Sequence, residues 1–171
     1  YLFPFDSLTP WYFMTILSFV FILLIAKSAY YLGGKKMAVV TALFAAVSTA
    51  QINNAFTVWN AGVDAYIGVF AIYFLINYIK STRLVWMFLL AFSISLGTTI
   101  HFQTAYLVPL IFSGFFFGKN RLKAVVISIL GFAIPLLPFL YFDLKFHWFE
   151  TRQIIDYLRF AQYRIYVPNR W

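Results

Sequence analysis

Three groups of residues could do chemistry in this chain, and long apolar runs separate them. The first is Gln51, Asn53, Asn54 and Asn60 with Asp64, four amides and a carboxylate within fourteen residues. Such a set makes a hydrogen-bonding wall suited to a polyhydroxyl substrate. It equally suits a polar loop in which Asn60 caps the next helix and Asp64 sits in its first turn, where the helix dipole favours negative charge. The second group is His101, Gln103 and Thr104, in a stretch from Leu84 to Phe117 without Lys, Arg, Asp or Glu. Polar groups at membrane depth are costly unless protein or a wet cavity receives them. His101 and Gln103 are therefore read as lining a cavity, the alternative being a histidine satisfied by a neighbouring helix. The third group is Lys145, Arg152, Arg159 and Arg164. The planar fork of arginine binds phosphate oxygens in pairs, and the same arginines suit anionic headgroups beneath a helix lying on the membrane.

Other chemistries are missing. No Gly-rich phosphate loop, metal-binding cluster, Ser/His/Asp arrangement or HExxH is present. With no cysteine there are no disulfides or thiolate sites. None of the five acidic residues forms an obvious pair, so no acid/base set is visible.

The elements that must position these groups follow from composition. Of 171 residues, 63% are hydrophobic and 11% are charged, against about 25% charged in a soluble domain. One core could not bury that much apolar surface, which excludes a water-soluble monomer. Disorder and a soluble basic nucleic-acid-binding domain are excluded too, so no nucleic-acid partner is expected. The net charge of +8 is read as encoding membrane orientation. The expected fold is all-α and polytopic, with about six transmembrane helices near 11–26, 37–52, 61–79, 84–100, 105–117 and 124–142. A tail over 143–171 follows, with an interfacial helix over Glu150–Tyr163. Pro109, Pro135 and Pro138 are expected to kink helices. Lys27, Lys35, Lys36, Lys80, Arg83, Lys119, Arg121 and Lys123 all fall in the odd-numbered turns, which places those turns in the cytoplasm. Both ends then face outside, together with the two amide- and histidine-bearing turns. The chain begins at Tyr1 rather than Met and is read as an internal piece of a longer protein.

The order of these features resembles the bacterial GT-C glycosyltransferases related to protein O-mannosyltransferases and aminoarabinose transferases. Ser48, Gln51, Trp59 and Asn60 match an outer loop that reads roughly S-P-x-Q-x-x-x-S-R-x-x-W-N-P-N, with Phe56 where arginine is common and Ala61-Gly62 in place of Pro-Asn. The run from Leu96-Gly97 through His101 to Pro109 is similar to G-L-x-x-Q-x-H-x-x-x-x-x-L-P, with Thr99 where the glutamine often stands. The segment from Pro135 to Arg152, which contains Pro138-Phe-Leu-Tyr-Phe-Asp143-Leu-Lys145 and Thr151-Arg152, is similar to P-F-x-x-F-E-L-R-x-x-F-x-x-T-R, with Asp143 for Glu and Lys145 for Arg. The resemblance covers most of the chain in order and spacing, through loose motifs.

The resemblance implies an enzyme of the cell envelope that transfers a sugar from a polyprenyl-phosphate donor to a glycan, lipid or protein acceptor on the non-cytoplasmic face. A carboxylate takes the acceptor proton as lipid phosphate leaves, and cations stabilise the developing charge. The resemblance places that carboxylate in an outer loop upstream of Tyr1. Lys145, Arg152 and Arg159 are then expected at phosphate, and Asn60, His101 and Gln103 at the sugar or phosphate cavity. No metal ligand is assigned, and a divalent metal cofactor is left open. The competing readings are a transporter or flippase, a carbohydrate polymer ligase or polymerase, and a non-catalytic membrane subunit.

Overall fold

The computed structural model describes residues 8–57, 62–117 and 121–164. Every regular element among them is helical. The chain divides into two compact units, Tyr1–Pro135 and Leu136–Trp171.

The first element, α1, covers Thr9–Val47, 39 residues. Straight, it would be ~58 Å long, about twice a ~30 Å hydrocarbon core. It is not straight. Gly34 has φ 76° and ψ −167°, which breaks the helix. Trp11 Nε1 donates to the Phe56 carbonyl at 3.2 Å; one continuous helix would hold these residues ~68 Å apart. The chain therefore reverses at Gly34, in a backbone region that only glycine enters readily. Past Ser48, whose extended backbone interrupts the returning arm, α2 covers Thr49–Phe56. Gln51, Asn53 and Asn54 thus lie on a helix, where a polar loop was one expectation. Ser48 begins it as an N-cap, its hydroxyl accepting from the Gln51 N–H at 3.5 Å.

Helix α3, Val63–Ser81, starts from Gly62 without a side-chain cap. The expected capping residue, Asn60, lies outside the described residues. The first arm of α1 runs parallel to α3. Tyr66 and Ser18 share a hydrogen bond of 2.8 Å. Lower down, Lys27 stands over the Tyr73 ring and Lys80 over the Tyr31 ring. The near-constant offset between these partners fixes the register.

Thr82, at φ 53°, closes α3 with a bond from its N–H to the Tyr78 carbonyl. Helix α4, Leu84–Ile100, returns antiparallel. Ile67, Ala71, Tyr78, Met87, Leu90, Ala91 and Ile94 form the core between the two. A 3₁₀ helix over Phe102–Leu107 leads into α5, Val108–Phe117. Pro109 lies in the first turn of α5, where its missing N–H costs nothing, so it starts this helix instead of kinking it. Helix α6, Arg121–Lys145, continues through Pro135 and Pro138.

In lipid the hydrophobic effect does not press helices together, so small residues and interhelical hydrogen bonds must. Gly131 of α6 lies directly over the Phe88 carbonyl of α4, where a Cβ would approach the oxygen to 2.5 Å. Ser95 donates across the same contact to the Phe132 carbonyl at 2.6 Å. Outward, Phe19, Leu23, Phe44, Phe116, Leu122 and Ile129 are exposed. A surface that apolar calls for lipid. Three helices are long and apolar enough to cross a membrane, Thr9–Val47, Val63–Ser81 and Arg121–Lys145, and the apolar helices Leu84–Ile100 and Phe102–Phe117 are shorter.

In the second unit, α6 ends at Lys145 and α7 covers Phe149–Arg164. The turn between them puts two successive non-glycine residues, His147 and Trp148, at φ 55° and 63°. Such backbone costs of order 1–3 kcal/mol per residue and persists only where its surroundings hold it. Asp143 supplies the hold. Its side chain is buried, its carbonyl accepts from the Trp148 N–H at 2.7 Å, and its carboxylate accepts from both the Thr151 N–H and the Thr151 hydroxyl.

Candidate functional site

Asp64 begins the first unit's polar cluster. It sits in the first turn of α3, where the unpaired N–H groups favour a carboxylate. Forty residues further on, the Thr104 hydroxyl donates to its Oδ1. Thr104 is fully buried, and it reaches Asp64 because the chain tightens into a 3₁₀ helix after α4, with the Thr104 N–H bonded to the His101 carbonyl at 2.9 Å. Gly97 of α4 makes room, since its missing Cβ would lie 2.6 Å from Thr104 Cγ2.

His101 closes α4. Its Nε2 lies 3.8 Å from Asp64 Oδ2, and both side chains are 18% exposed. The same nitrogen is 3.0 Å from Gln103 Oε1. An N–H on Nε2 donates to the Gln103 amide oxygen and turns its positive edge toward the carboxylate. Gln103 itself is exposed. The group is thus half in protein and half accessible, with a buried anchor, Thr104, behind it.

The amides of α2 flank this end of α3. Asn54 lies against Gly62, its Oδ1 3.6 Å from where a Cβ would stand. Gln51 is one helical turn before Asn54 and is buried, and its Nε2 donor has no partner among the described residues. An unmet donor in an apolar setting is expensive. Asp64, His101 and Gln103 offer the chemistry of hydroxyl recognition, namely acceptors, a donor and a proton carrier within one cluster. Among the described residues no three His, Asp or Glu side chains converge.

The sequence-predicted residues divide. His101, Gln103 and Thr104 of the second group come together, and the fold joins Asp64 of the first group to them. Asn60 lies outside the described residues. Lys145, Arg152 and Arg159 belong to the second unit, where all three are exposed. Lys145 ends α6 with its ammonium 5.6 Å from the Phe146 ring centre. Arg152 and Arg159 are seven residues apart on α7, two turns along one face. Asp143, which matches an acidic position in the resemblance, is turned inward to hold the start of α7. The signal for Asp64 was its solitude, as the only ionisable residue between Met37 and Ile79. Nothing in the pattern paired it with Thr104.

No protein-family model matches the chain, and neither curated proteins nor solved structures show a significant match to it.

Proposed function

We propose that this chain belongs to a membrane glycosyltransferase of GT-C type that takes a sugar from a polyprenyl-phosphate donor on the non-cytoplasmic face. The observation that carries the reading is the Asp64–Thr104–His101–Gln103 cluster, assembled from two separate turns at the end of α3 opposite Lys80 and Arg83. On this reading α1 crosses twice around Gly34. The segments α3, α4, the 3₁₀ helix with α5, and α6 then make six crossings in all. The positive-inside rule sets the lysine turns in the cytoplasm and the cluster outside.

The reaction breaks the bond between the anomeric carbon and the phosphate oxygen. It forms a bond from that carbon to the acceptor oxygen, and the acceptor proton passes to a carboxylate base. Asp64 is not given that role, because its Oδ1 already accepts the Thr104 hydroxyl. Its part, with His101 and Gln103, is to bind and orient sugar hydroxyls. Lys145, Arg152 and Arg159 are proposed at phosphate, where arginine pairs with two oxygens at once.

The test is transfer of labelled sugar from a panel of polyprenyl-phosphate donors by the full-length protein in liposomes, with wild type beside His101→Ala and Arg152→Ala. The reading expects transfer that either substitution lowers strongly. Transfer unchanged by both would remove these residues from the site. No transfer from any donor by well-folded protein would favour transport.

A further inference from the structure

The end of α1 and α3 opposite the polar cluster holds a second charged group. Tyr31 and Tyr73 stack with ring centres 6.5 Å apart and planes 18° from parallel. Lys80 Nζ lies 4.2 Å from the centre of the Tyr31 ring, and Lys27 Nζ lies 5.7 Å from that of Tyr73. Trp86 of α4 meets Tyr73 edge-on, with ring centres 6.1 Å apart, and stacks on Phe74. Two ammonium groups therefore hang on one braced pair of rings. Each ring contact draws its ammonium in and narrows its freedom.

Among the described residues of the first unit the one carboxylate is that of Asp64. The sequence has no acidic residue between Asp64 and Asp143. Asp64 stands at the far end of α3, sixteen residues from Lys80 and so ~24 Å away along the helix, well beyond a Debye length of ~8 Å. Lys35, Lys36 and Arg83, in the turns at this same end, add charge of the same sign. Both Lys27 and Lys80 are exposed. One turn before Lys27, toward the N-terminal end of α1, Leu23 is 68% exposed. A phosphate held at Lys27 could thus lay an acyl chain along Leu23, which a free phosphate could not use.

We propose that Lys27 and Lys80, held over the stacked Tyr31–Tyr73 pair, bind the phosphate of an anionic glycerophospholipid of the inner leaflet. The site uses none of the residues of the sugar-transfer reading, and only its assignment to the inner leaflet rests on the orientation given there. Its chemistry is an anionic phosphodiester drawn to two ammonium groups on one ring stack, with the acyl chains on the apolar flank of α1.

Trp86 provides the readout. The protein is reconstituted in phosphatidylcholine vesicles containing a small fraction of brominated phosphatidylglycerol or of brominated phosphatidylcholine, and tryptophan quenching is compared. A Trp86→Phe variant identifies the part due to Trp86. The expected result is preferential quenching of Trp86 by the brominated phosphatidylglycerol. The preference should fall by about fivefold for each lysine changed to glutamine. Lys27→Arg/Lys80→Arg should keep it, which separates loss of charge from loss of fold, and inorganic phosphate at millimolar level should not compete. Equal quenching by the two lipids would overturn the proposal, as would a preference that survives Lys27→Gln/Lys80→Gln. Displacement of the lipid by inorganic phosphate would overturn the assignment to a phospholipid.

Discussion

Three glycines give the packing a graded test. A Cβ on Gly97 would lie 2.6 Å from Thr104 Cγ2 and 3.0 Å from Ile67 Cγ1 and Cγ2. Carbon atoms settle at ~3.5–4 Å, so about 1 Å of movement is needed. Thr104 cannot supply it by turning away, because it is fully buried and its hydroxyl is tied to Asp64. Overpacking of this kind costs about 1–3 kcal/mol, and replacing a helical glycine with alanine returns about 1 kcal/mol. Gly97→Ala should therefore be destabilising by up to ~2 kcal/mol. Gly68, in α3, has nothing within 4 Å of its would-be Cβ, so Gly68→Ala keeps the gain without the clash. Gly131→Ala drives its Cβ to 2.5 Å from the backbone oxygen of Phe88. There a whole helix must move, so the loss should be the largest. The assay is the fraction of protein that stays monodisperse on size exclusion after heating in detergent. The expected order of stability is Gly68→Ala above wild type, then Gly97→Ala, then Gly131→Ala. Gly97→Ala matching or exceeding Gly68→Ala would refute the close approach of α4 to the Thr104 turn.

Three further outcomes follow from particular bonds. Thr104→Val removes the hydroxyl that Asp64 accepts and keeps the shape, so it should cost about 1–3 kcal/mol, read as a lower melting temperature. Gly34→Val puts a β-branched residue at φ 76°. It should sharply lower the yield of folded protein while Gly68→Val, in an open helical position, does so less. Asp143→Ala removes both carboxylate bonds to Thr151 and should release α7. Hydrogen exchange at 149–164 should rise while α3 and α4 stay protected, and equal protection of 149–164 in Asp143→Ala and wild type would show that Asp143 does not hold the turn.

Much of the helical layout was legible because apolar runs and charged punctuation are properties of consecutive residues. Helix α4 falls on 84–100 as expected, and α7 begins at Phe149, one residue from expectation. The reversal between the first two apolar runs was legible from Gly33-Gly34-Lys35-Lys36, although the helix runs right up to Gly34 on both sides. The helical state of Gln51–Asn54 was harder to see, since a run of amides carries a loop signal and only Ser48 marks a helix start. What the sequence could not show were partners far apart in the chain. Asp64 with Thr104, Ser18 with Tyr66 and Ser95 with Phe132 depend on the register of whole helices. Asp143 stood only at the acidic position of a loose family segment, and its burial beneath the strained His147–Trp148 turn is a property of the fold alone.

The central claim is that the Asp64–His101 cluster faces the non-cytoplasmic side and receives the donor. The 171 residues contain no cysteine, so Gln103→Cys introduces a single thiol into this chain at the exposed edge of the cluster. Its labelling rate by a membrane-impermeant maleimide, measured from each side with and without a polyprenyl-phosphate sugar, tests side and occupancy together. The account predicts labelling from the non-cytoplasmic side that saturating donor slows several-fold. Labelling only from the cytoplasmic side, or a rate that no donor changes, would contradict it.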